Sequence, residues 1–249
     1  MKHVLGIDVG GSGIKGAPVD LAAGAFVQPR MKVSTPSPST PAACAQAMTR
    51  ILRRFDAQVS GPIGVTVPAP VVGGVTPFMA NLDKSWVDLD ADAFLTEKLQ
   101  RDVALVNDAD AAGVAEIAFG AGRNQAGTVV MITLGTGVGT ALFHDGHLVP
   151  NTELGHIEID GHEAEKRAAS SYMQRAHIGF GKWAKELQRY LEMMEKLLWP
   201  DLFIIGGGVS RDHARFLPLL QLRTPVVPAE LRNEAGIIGA ALVARGRFA

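Results

Sequence analysis

One construction occurs twice in this chain: an apolar strand, a small polar residue, a glycine-rich turn and a second strand. The first copy reads VLGIDVGGSGIKG over residues 4–16, and the second reads VMITLGTGVGTAL over 130–142. Glycine lacks a Cβ, so it accepts positive φ and lets a ligand approach the backbone closely. Successive N–H groups in such a turn form an anion-binding nest. In the first turn Gly10, Gly11 and Gly13 supply amides, Ser12 a hydroxyl and Lys15 a point charge. In the second, Gly135, Thr136 and Gly137 repeat the pattern, with a further hydroxyl at Thr133. For either turn alone, a plain glycine hairpin is the competing reading. Two of them in one chain predict a phosphate chain gripped from two sides, and hence a phosphotransferase. The first turn is not a P-loop, because the GxxxxGK[ST] order and the following helix are missing. Nor is it a dinucleotide fingerprint, since a strand follows rather than a helix.

The bulk properties suit a soluble enzyme. A chain of 249 residues allows one large domain or two modest ones with a shared cleft. Apolar residues make up 47% and charged residues 20%, and the net charge is −1. General attraction to nucleic acid or membrane is therefore not expected, and a bound anion needs local cations and backbone amides. The single cysteine, Cys44, cannot form an intrachain disulfide and fits a reducing compartment. The first residues show no signal-peptide pattern, and no apolar run approaches the roughly 20 residues that span a bilayer. A cytoplasmic protein is expected.

Periodicity places the elements. Residues 4–7 read as a buried strand, 13–19 as its hairpin partner and 26–33 as a third strand. A helix over 42–55 carries Ala43, Ala47, Ile51 and Leu52 on one face. A strand over 63–67 is closed by Pro68-Ala69-Pro70, which forbids helix there. A short helix over 92–100 has Asp90 and Asp92 as candidate caps. A strand over 103–106 ends at Asn107-Asp108, and an alanine-rich helix follows over 109–119. The second half restarts at Thr128 with the second hairpin, and His144-Asp145-Gly146-His147 makes a tight turn. The longest helix covers 180–198, where Trp183, Leu187, Leu191, Met194 and Leu198 form an apolar stripe read as core. A strand over 202–205 runs into Gly206-Gly207-Gly208, and a small-residue helix covers 237–244. A repeat that occurs only twice points to two related lobes with a cleft where they meet, and not to a solenoid.

Three places carry candidate chemistry. Asp8 ends the first strand, where a carboxylate can hold hydrated Mg²⁺ against phosphate oxygens. Asp108 follows a buried strand, at the edge where ligands bind in open α/β sheets. In phosphoryl transfer such an Asp accepts the proton of the attacking hydroxyl. The competing reading makes Asp108 the cap of the next helix, a role for which Asn107 is expected to be the poorer candidate. The segment 151–165 is dense in carboxylates and imidazoles. Sugars need such a set, because each hydroxyl is both donor and acceptor. A metal site is the alternative there, but no cysteine lies in the segment and its spacing is not HExxH.

These motifs together resemble the ROK sugar kinases, within the actin-like and hexokinase-like ATPase superfamily. The resemblance rests on DVGGSGIKG at 8–16, ANLDKSW at 80–86, VNDAD at 106–110, TLGTGVGTAL at 133–142, ELGHIEIDGHEAE at 153–165 and LFIIGGGVS at 202–210. It implies a two-lobed α/β fold of the ribonuclease H-like kind with a central cleft. The small lobe would be 1–108 plus about 235–249, and the large lobe 109–234. Many ROK proteins follow the ELGH-like motif with a zinc site of the form CxCGxxGC. This chain has EIDGHEAEKRAAS instead, so no structural zinc is expected. That form, with RTPVVPAE at 223–230, is similar to the branch of glucokinases and glucomannokinases that use polyphosphate.

The resemblance implies transfer of a phosphoryl group from inorganic polyphosphate or ATP to the 6-hydroxyl of glucose, and also of mannose. Asp108 becomes the base, and Asn81, Asn107, Glu153 and His156 become sugar contacts. Glu165 is the further sugar carboxylate, with Glu158 and Glu163 as alternative counterparts. Gly10, Gly11, Ser12, Gly13 and Lys15 would hold the donor from one side and Gly135, Thr136 and Gly137 from the other. Gly207 and Gly208 would face a nucleotide, although a close-packed strand-to-helix turn explains them as well. Mg²⁺ is implied, with Asp8 a partner through water, and relatives suggest a homodimer. A polyphosphate chain also needs a basic track, for which Lys84, Arg123, Lys166, Arg167, Arg175, Lys182 and Lys185 are available. Lys166, Arg167, Arg175 and Lys182 are the favoured ones, because they follow the sugar segment directly. Other functions remain. A ROK-type repressor would carry a helix-turn-helix before the first glycine turn, yet here the strand starts at Val4. An actin-like or chaperone-like ATPase would share the turns but not ELGH. A kinase for another hexose or an N-acetylhexosamine would differ by one or two hydrogen bonds.

Overall fold

The structure, a computed structural model, describes residues 3–248. Its elements begin β1 (His3–Gly10), β2 (Gly13–Asp20), β3 (Ala25–Phe26), β4 (Met31–Val33), α1 (Pro41–Phe55), β5 (Val59–Val67), β6 (Val75–Thr76), β7 (Leu89–Asp90), α2 (Ala91–Leu99), β8 (Val103–Asn107) and α3 (Asp108–Phe119). They continue as β9 (Thr128–Leu134), β10 (Val138–His144), β11 (His147–Val149), β12 (Glu158–Ile159), β13 (His162–Glu163), α4 (Glu165–Ala168), α5 (Ser171–Arg175), α6 (Phe180–Leu198), β14 (Leu202–Gly206), β15 (Val226–Pro228) and α7 (Ala235–Arg247). The chain packs as two units: the residues up to Ala115 together with those from Glu234 onward, and Glu116–Asn233.

In the first unit the sheet order is β3-β2-β1-β5-β8, with β4 also on β2. β1 and β2 form the first glycine hairpin, and their register sets Asp8 opposite Lys15 and Gly10 opposite Gly13. β1, β5 and β8 run parallel, pairing Asp8 with Thr66, Thr66 with Val106 and Val67 with Asn107. That register brings the candidate residues of this unit to one edge, the carboxyl ends of the parallel strands, where open α/β sheets bind ligands. One face of the sheet, including Leu5, Ile7, Ile63, Val65 and Leu105, packs in one core with Met48, Ile51 and Phe55 of α1. Thr40 caps α1 by accepting from the Ala43 N–H at 3.3 Å, and Pro41 opens its first turn. α7 packs at glycines of the strands. A Cβ on Gly6 would lie 2.9 Å from the Ile237 carbonyl carbon, and one on Gly64 2.8 Å from the Ala241 nitrogen.

In the second unit the order is β11-β10-β9-β14-β15. β9 and β10 form the second glycine hairpin, and β9, β14 and β15 are parallel. α6 buries Trp183, Leu187, Tyr190, Leu191 and Met194 in one core with Val130, Ile132, Phe203 and Ile205. Leu198 is only partly buried, at the end of the stripe. Among the described residues no helix is long and apolar enough to cross a membrane. Cys44 is buried, and burial pushes its thiol up to about 11, with Asp83 adding to the rise, so it stays protonated and inert at neutral pH.

Two expectations need correction, and one strand is unanticipated. Residues 26–33 form two short strands and not one, because Pro29 interrupts the run and cannot donate to a ladder. Asp92 is not a cap. Asp90 caps α2 by accepting from the Ala93 N–H at 3.0 Å, while Asp92 is buried, accepts from the Leu105 N–H at 2.7 Å and pairs with Arg247. β15 lies in the RTPVVPAE stretch, where Pro225 and Pro228 hide a parallel edge strand.

Candidate active site

The first glycine hairpin holds Asp8 in a fixed pose. Lys15 Nζ lies 3.0 Å from Asp8 Oδ2, and the Thr66 hydroxyl donates to Oδ1 at 3.0 Å. Cross-strand pairing puts both partners there, and the side chains of Asp8 and Lys15 are about a quarter exposed, at 26% and 27%. Gly236, in the first turn of α7, sits with its Cβ position 3.9 Å from Asp8 Oδ1. Asp8 thus lies beside a helix N-terminus, a favourable place for negative charge. Gly11 approaches the Asn81 carbonyl, which would be 3.5 Å from a Cβ there, so the ANLDKSW stretch abuts the turn. Gly11, Ser12 and the Asn81 residue are exposed.

Asn107, expected to be the poorer cap, is the residue that caps α3. Asn107 is buried and caps α3: its Oδ1 accepts from the Ala109 N–H at 2.9 Å and the Asp110 N–H at 3.1 Å. Its Nδ2 donates to the Ala69 carbonyl at 3.2 Å. Asn suits this cap because one amide offers both an acceptor for the helix and a donor for the neighbouring loop. The Asp108 carboxylate, which accepts from its neighbour Ala109 N–H at 2.8 Å, is exposed at the sheet edge.

In the second unit the turn 135–137 is pinned from behind. Ser170 Oγ donates to the Leu134 and Gly135 carbonyls at 3.3 and 3.1 Å, Ser171 N–H to Gly135 O at 3.1 Å and Ser171 Oγ to Thr136 O at 2.7 Å. The Gly135 N–H donates to the Gly137 carbonyl at 3.0 Å within the turn, so an anion nest there would rest on the Thr136 and Gly137 amides. Glu165 lies against the same turn and accepts from the Val138 N–H at 3.3 Å. A Cβ on Gly137 would overlap its carboxylate. Gly207 has φ +80° and rests on the Leu134 backbone, which explains it by packing, whereas Gly208 faces open space.

The sugar-candidate segment is fastened by Thr140, a residue the motifs did not single out. Its buried hydroxyl donates to the Thr152 carbonyl and accepts from the Leu154 N–H at 3.1 Å. The only sign of it in the sequence is a Thr in an inward position of an apolar strand. The 3-10 turn Leu154–His156 then seats against β10, where Gly155 leaves no room for a Cβ beside the Val138 carbonyl. His156 Nε2 stands 4.0 Å from Glu153 Oε2, and Nδ1 3.3 Å from Glu163 Oε1. Lys166 Nζ is 2.9 Å from Glu163 Oε2. One ligand atom each from His156, Glu163 and Glu165 lies within 4.8 Å of the others, a spacing that suits a metal. The Lys166 ammonium already supplies Glu163 with a cation. Glu158 pairs across the hairpin with Glu163 and stands outside this group.

Of the basic residues, Lys166 and Arg175 line a cavity of about 280 Å³ with Thr136, Glu165 and Tyr172. Arg175 donates to Ser171 Oγ at 2.6 Å and to the Lys166 carbonyl at 3.0 Å. Arg167 points elsewhere, 3.9 Å from Glu186.

Burial raises the pKa of Glu153; His156 partly offsets the rise and Glu165 adds to it. The folded state therefore disfavours the charged form, and this destabilisation sets in as pH rises from the ordinary Glu value through the folded one. Glu153→Gln is expected to melt above the parent at neutral pH, the gain vanishing near about pH 4. Thermal melts at both pH values check this; an equal difference at each would contradict it.

The ROK family profile matches residues 4–172. The chain is 50% identical to the polyphosphate glucokinase of Mycobacterium tuberculosis (strain CDC 1551 / Oshkosh) over 242 residues, 97% of this chain and 91% of that protein. The inorganic polyphosphate/ATP-glucomannokinase from Arthrobacter sp. strain KM superposes with a TM-score of 0.95 at 48% identity, covering 99% of this chain and 100% of that one. A ROK glucokinase from Streptomyces griseus shares the fold, with a TM-score of 0.83 at 23% identity over 98% and 99% of the two chains. The fold is accordingly that of the actin-like, hexokinase-like ATPases, and the chain belongs to the ROK family.

Proposed function

We propose that this protein transfers a phosphoryl group from inorganic polyphosphate or ATP to the 6-hydroxyl of glucose, and of mannose, with Asp108 as general base. The observation that carries the chemistry is the exposed Asp108 carboxylate, on the same sheet edge as the first glycine turn. The named relatives, similar over nearly the whole chain, support the choice of donor and sugar.

In this reading Gly10, Gly11, Ser12, Gly13 and Lys15, with Gly135, Thr136 and Gly137, hold the reacting phosphates, and Gly208 leaves space for a nucleotide when ATP is the donor. Glu153, His156, Glu165, Asn81 and the Asn107 amide take the sugar hydroxyls. Asp8 keeps one lone pair per oxygen beyond Lys15 and Thr66, which fits Mg²⁺ held through water better than direct ligation. Bound Mg²⁺ would neutralise charge on the transferring phosphoryl group. In this reading the protein is cytoplasmic and a homodimer, and light scattering checks the dimer.

Lys166 and Arg175 are assigned to donor phosphates beyond the reacting end, since they share a cavity with Thr136. Arg175→Glu should raise the polyphosphate KM about tenfold or more by loss of a charge-assisted contact, and leave the ATP KM nearly unchanged. A donor-by-acceptor matrix tests the whole reading: ATP, GTP and long-chain polyphosphate against glucose, mannose, fructose and N-acetylglucosamine. Turnover confined to fructose or N-acetylglucosamine would refute the sugar assignment, and an unchanged polyphosphate KM in Arg175→Glu would refute the track.

A further inference from the structure

His156 is half-exposed, and its ring can turn over, exchanging the places of its nitrogens and carbons. A ring left to do so presents a sugar hydroxyl with the wrong atom part of the time. Charged groups around it come from three directions. Glu153 faces Nε2 at 4.0 Å, Glu163 faces Nδ1 at 3.3 Å and Glu165 lies in the same cluster. Behind Glu163 stands Lys166, its Nζ 2.9 Å from the other carboxylate oxygen. The Lys166 ammonium, first by hydrogen bonding and then by its charge, keeps the Glu163 carboxyl below the ordinary Glu range, with His156 adding to the effect. Glu163 is therefore an anion at neutral pH, and an anion can only accept from Nδ1.

We propose that Glu163 is a positioning residue for the sugar site: backed by Lys166, it fixes the His156 ring and holds the proton on Nδ1. Nε2 then stays on the Glu153 side as an acceptor for a sugar hydroxyl. This rests on the reading of His156 as a sugar contact. The geometry suits orientation more than stability. Glu163 and Lys166 are substantially exposed, and exposed ion pairs contribute little to folding. A carboxylate behind a functional histidine, by contrast, sets its tautomer and ring orientation. Removal of such outer partners typically costs about 10–100-fold in the metal sites where it has been measured. Lys166 also lines the cavity beside Thr136, so the same pair stands next to the proposed donor track.

The test compares Glu163→Leu, Glu163→Gln and His156→Ala in the full chain. Long-range ¹H–¹⁵N spectra, assigned by difference against His156→Ala, should show one Nδ1–H tautomer in the parent and a mixture in Glu163→Leu. The glucose KM should rise about 10–100-fold in Glu163→Leu, with kcat and Tm little moved. Glu163→Gln, whose amide oxygen still accepts from Nδ1–H, should recover most of the affinity. An unchanged tautomer and glucose KM in Glu163→Leu, alongside a raised KM in His156→Ala, would overturn the positioning role alone. An unchanged KM in both would remove His156 from the sugar site and the proposal with it. Saturable binding of Zn²⁺ alone, lost in Glu163→Leu, would make Glu163 a metal ligand and also overturn the proposal.

Discussion

Asp108→Asn is expected to lower kcat by about 10²–10⁴-fold, the usual worth of a positioned general base, while glucose binding stays measurable. The substitution is nearly isosteric and sits at an exposed position. The Asn oxygen can still accept from the Ala109 N–H, and Asn107 still caps α3. Folding should therefore be intact and the loss confined to proton removal from the attacking hydroxyl. Steady-state kinetics with polyphosphate and glucose, paired with calorimetric glucose binding, separate the two effects. Near-normal kcat would remove Asp108 from the mechanism, and a lost fold would make the variant uninformative about the base unless Asp108→Glu restored structure without rate.

Gly64→Ala is expected to cost about 3 kcal/mol, the upper part of the range for overpacking a close contact. Gly64 lies in β5, an interior strand of the first unit's sheet, where α7 packs on it. Its Cβ would lie 2.8 Å from the Ala241 nitrogen and closer still to the Ala240 carbonyl. All of these are backbone atoms, so no side chain can swing aside; the helix must lift or the strand must bend. Gly239 is similarly blocked by the Ala111 backbone, so α7 is held tightly on this side too. For a chain of this size 1 kcal/mol shifts Tm by roughly 2–4 °C, which predicts a drop of about 6–12 °C. Gly181→Ala is the control. Nothing lies within 4 Å of its Cβ position, and it sits in the first turn of α6, where Ala is the better helix former. It should melt at or slightly above the parent temperature. A Gly64→Ala protein that melts with the parent would show that α7 does not press on β5 as described.

How far the sequence anticipates these features depends on the kind of interaction. Local periodicity carries the two glycine hairpins and α6, because an alternating strand or a helical stripe advertises its buried face within ten to twenty residues. Capping is local too, yet the residue that caps α3 is Asn107, the one expected to suit it less. Both residue types cap well, and what decides between them is a distant donor requirement, the Ala69 carbonyl that only an amide can serve. Thr140 shows a second limit. One buried hydroxyl fastens a loop twelve residues away, and nothing in the spacing distinguishes it from an ordinary strand threonine. β15 shows a third, since its partner β14 is supplied by tertiary structure and its prolines argue locally against a strand. The family motifs point to the candidate residues individually. Their arrangement in depth, with Thr66 and Lys15 on Asp8, Ser170 and Ser171 behind the second turn and Glu163 behind His156, required coordinates.

The proposed reaction moves a phosphoryl group from a polyphosphate chain to a sugar hydroxyl. ³¹P NMR of the protein with long-chain polyphosphate, Mg²⁺ and glucose, and no nucleotide, tests it directly. The predicted result is a growing glucose 6-phosphate resonance matched by loss of polyphosphate, and its absence from the Asp108→Asn reaction over the same period. Orthophosphate released without any sugar phosphate, or a polyphosphate signal that stays constant while ATP supports turnover, would contradict it.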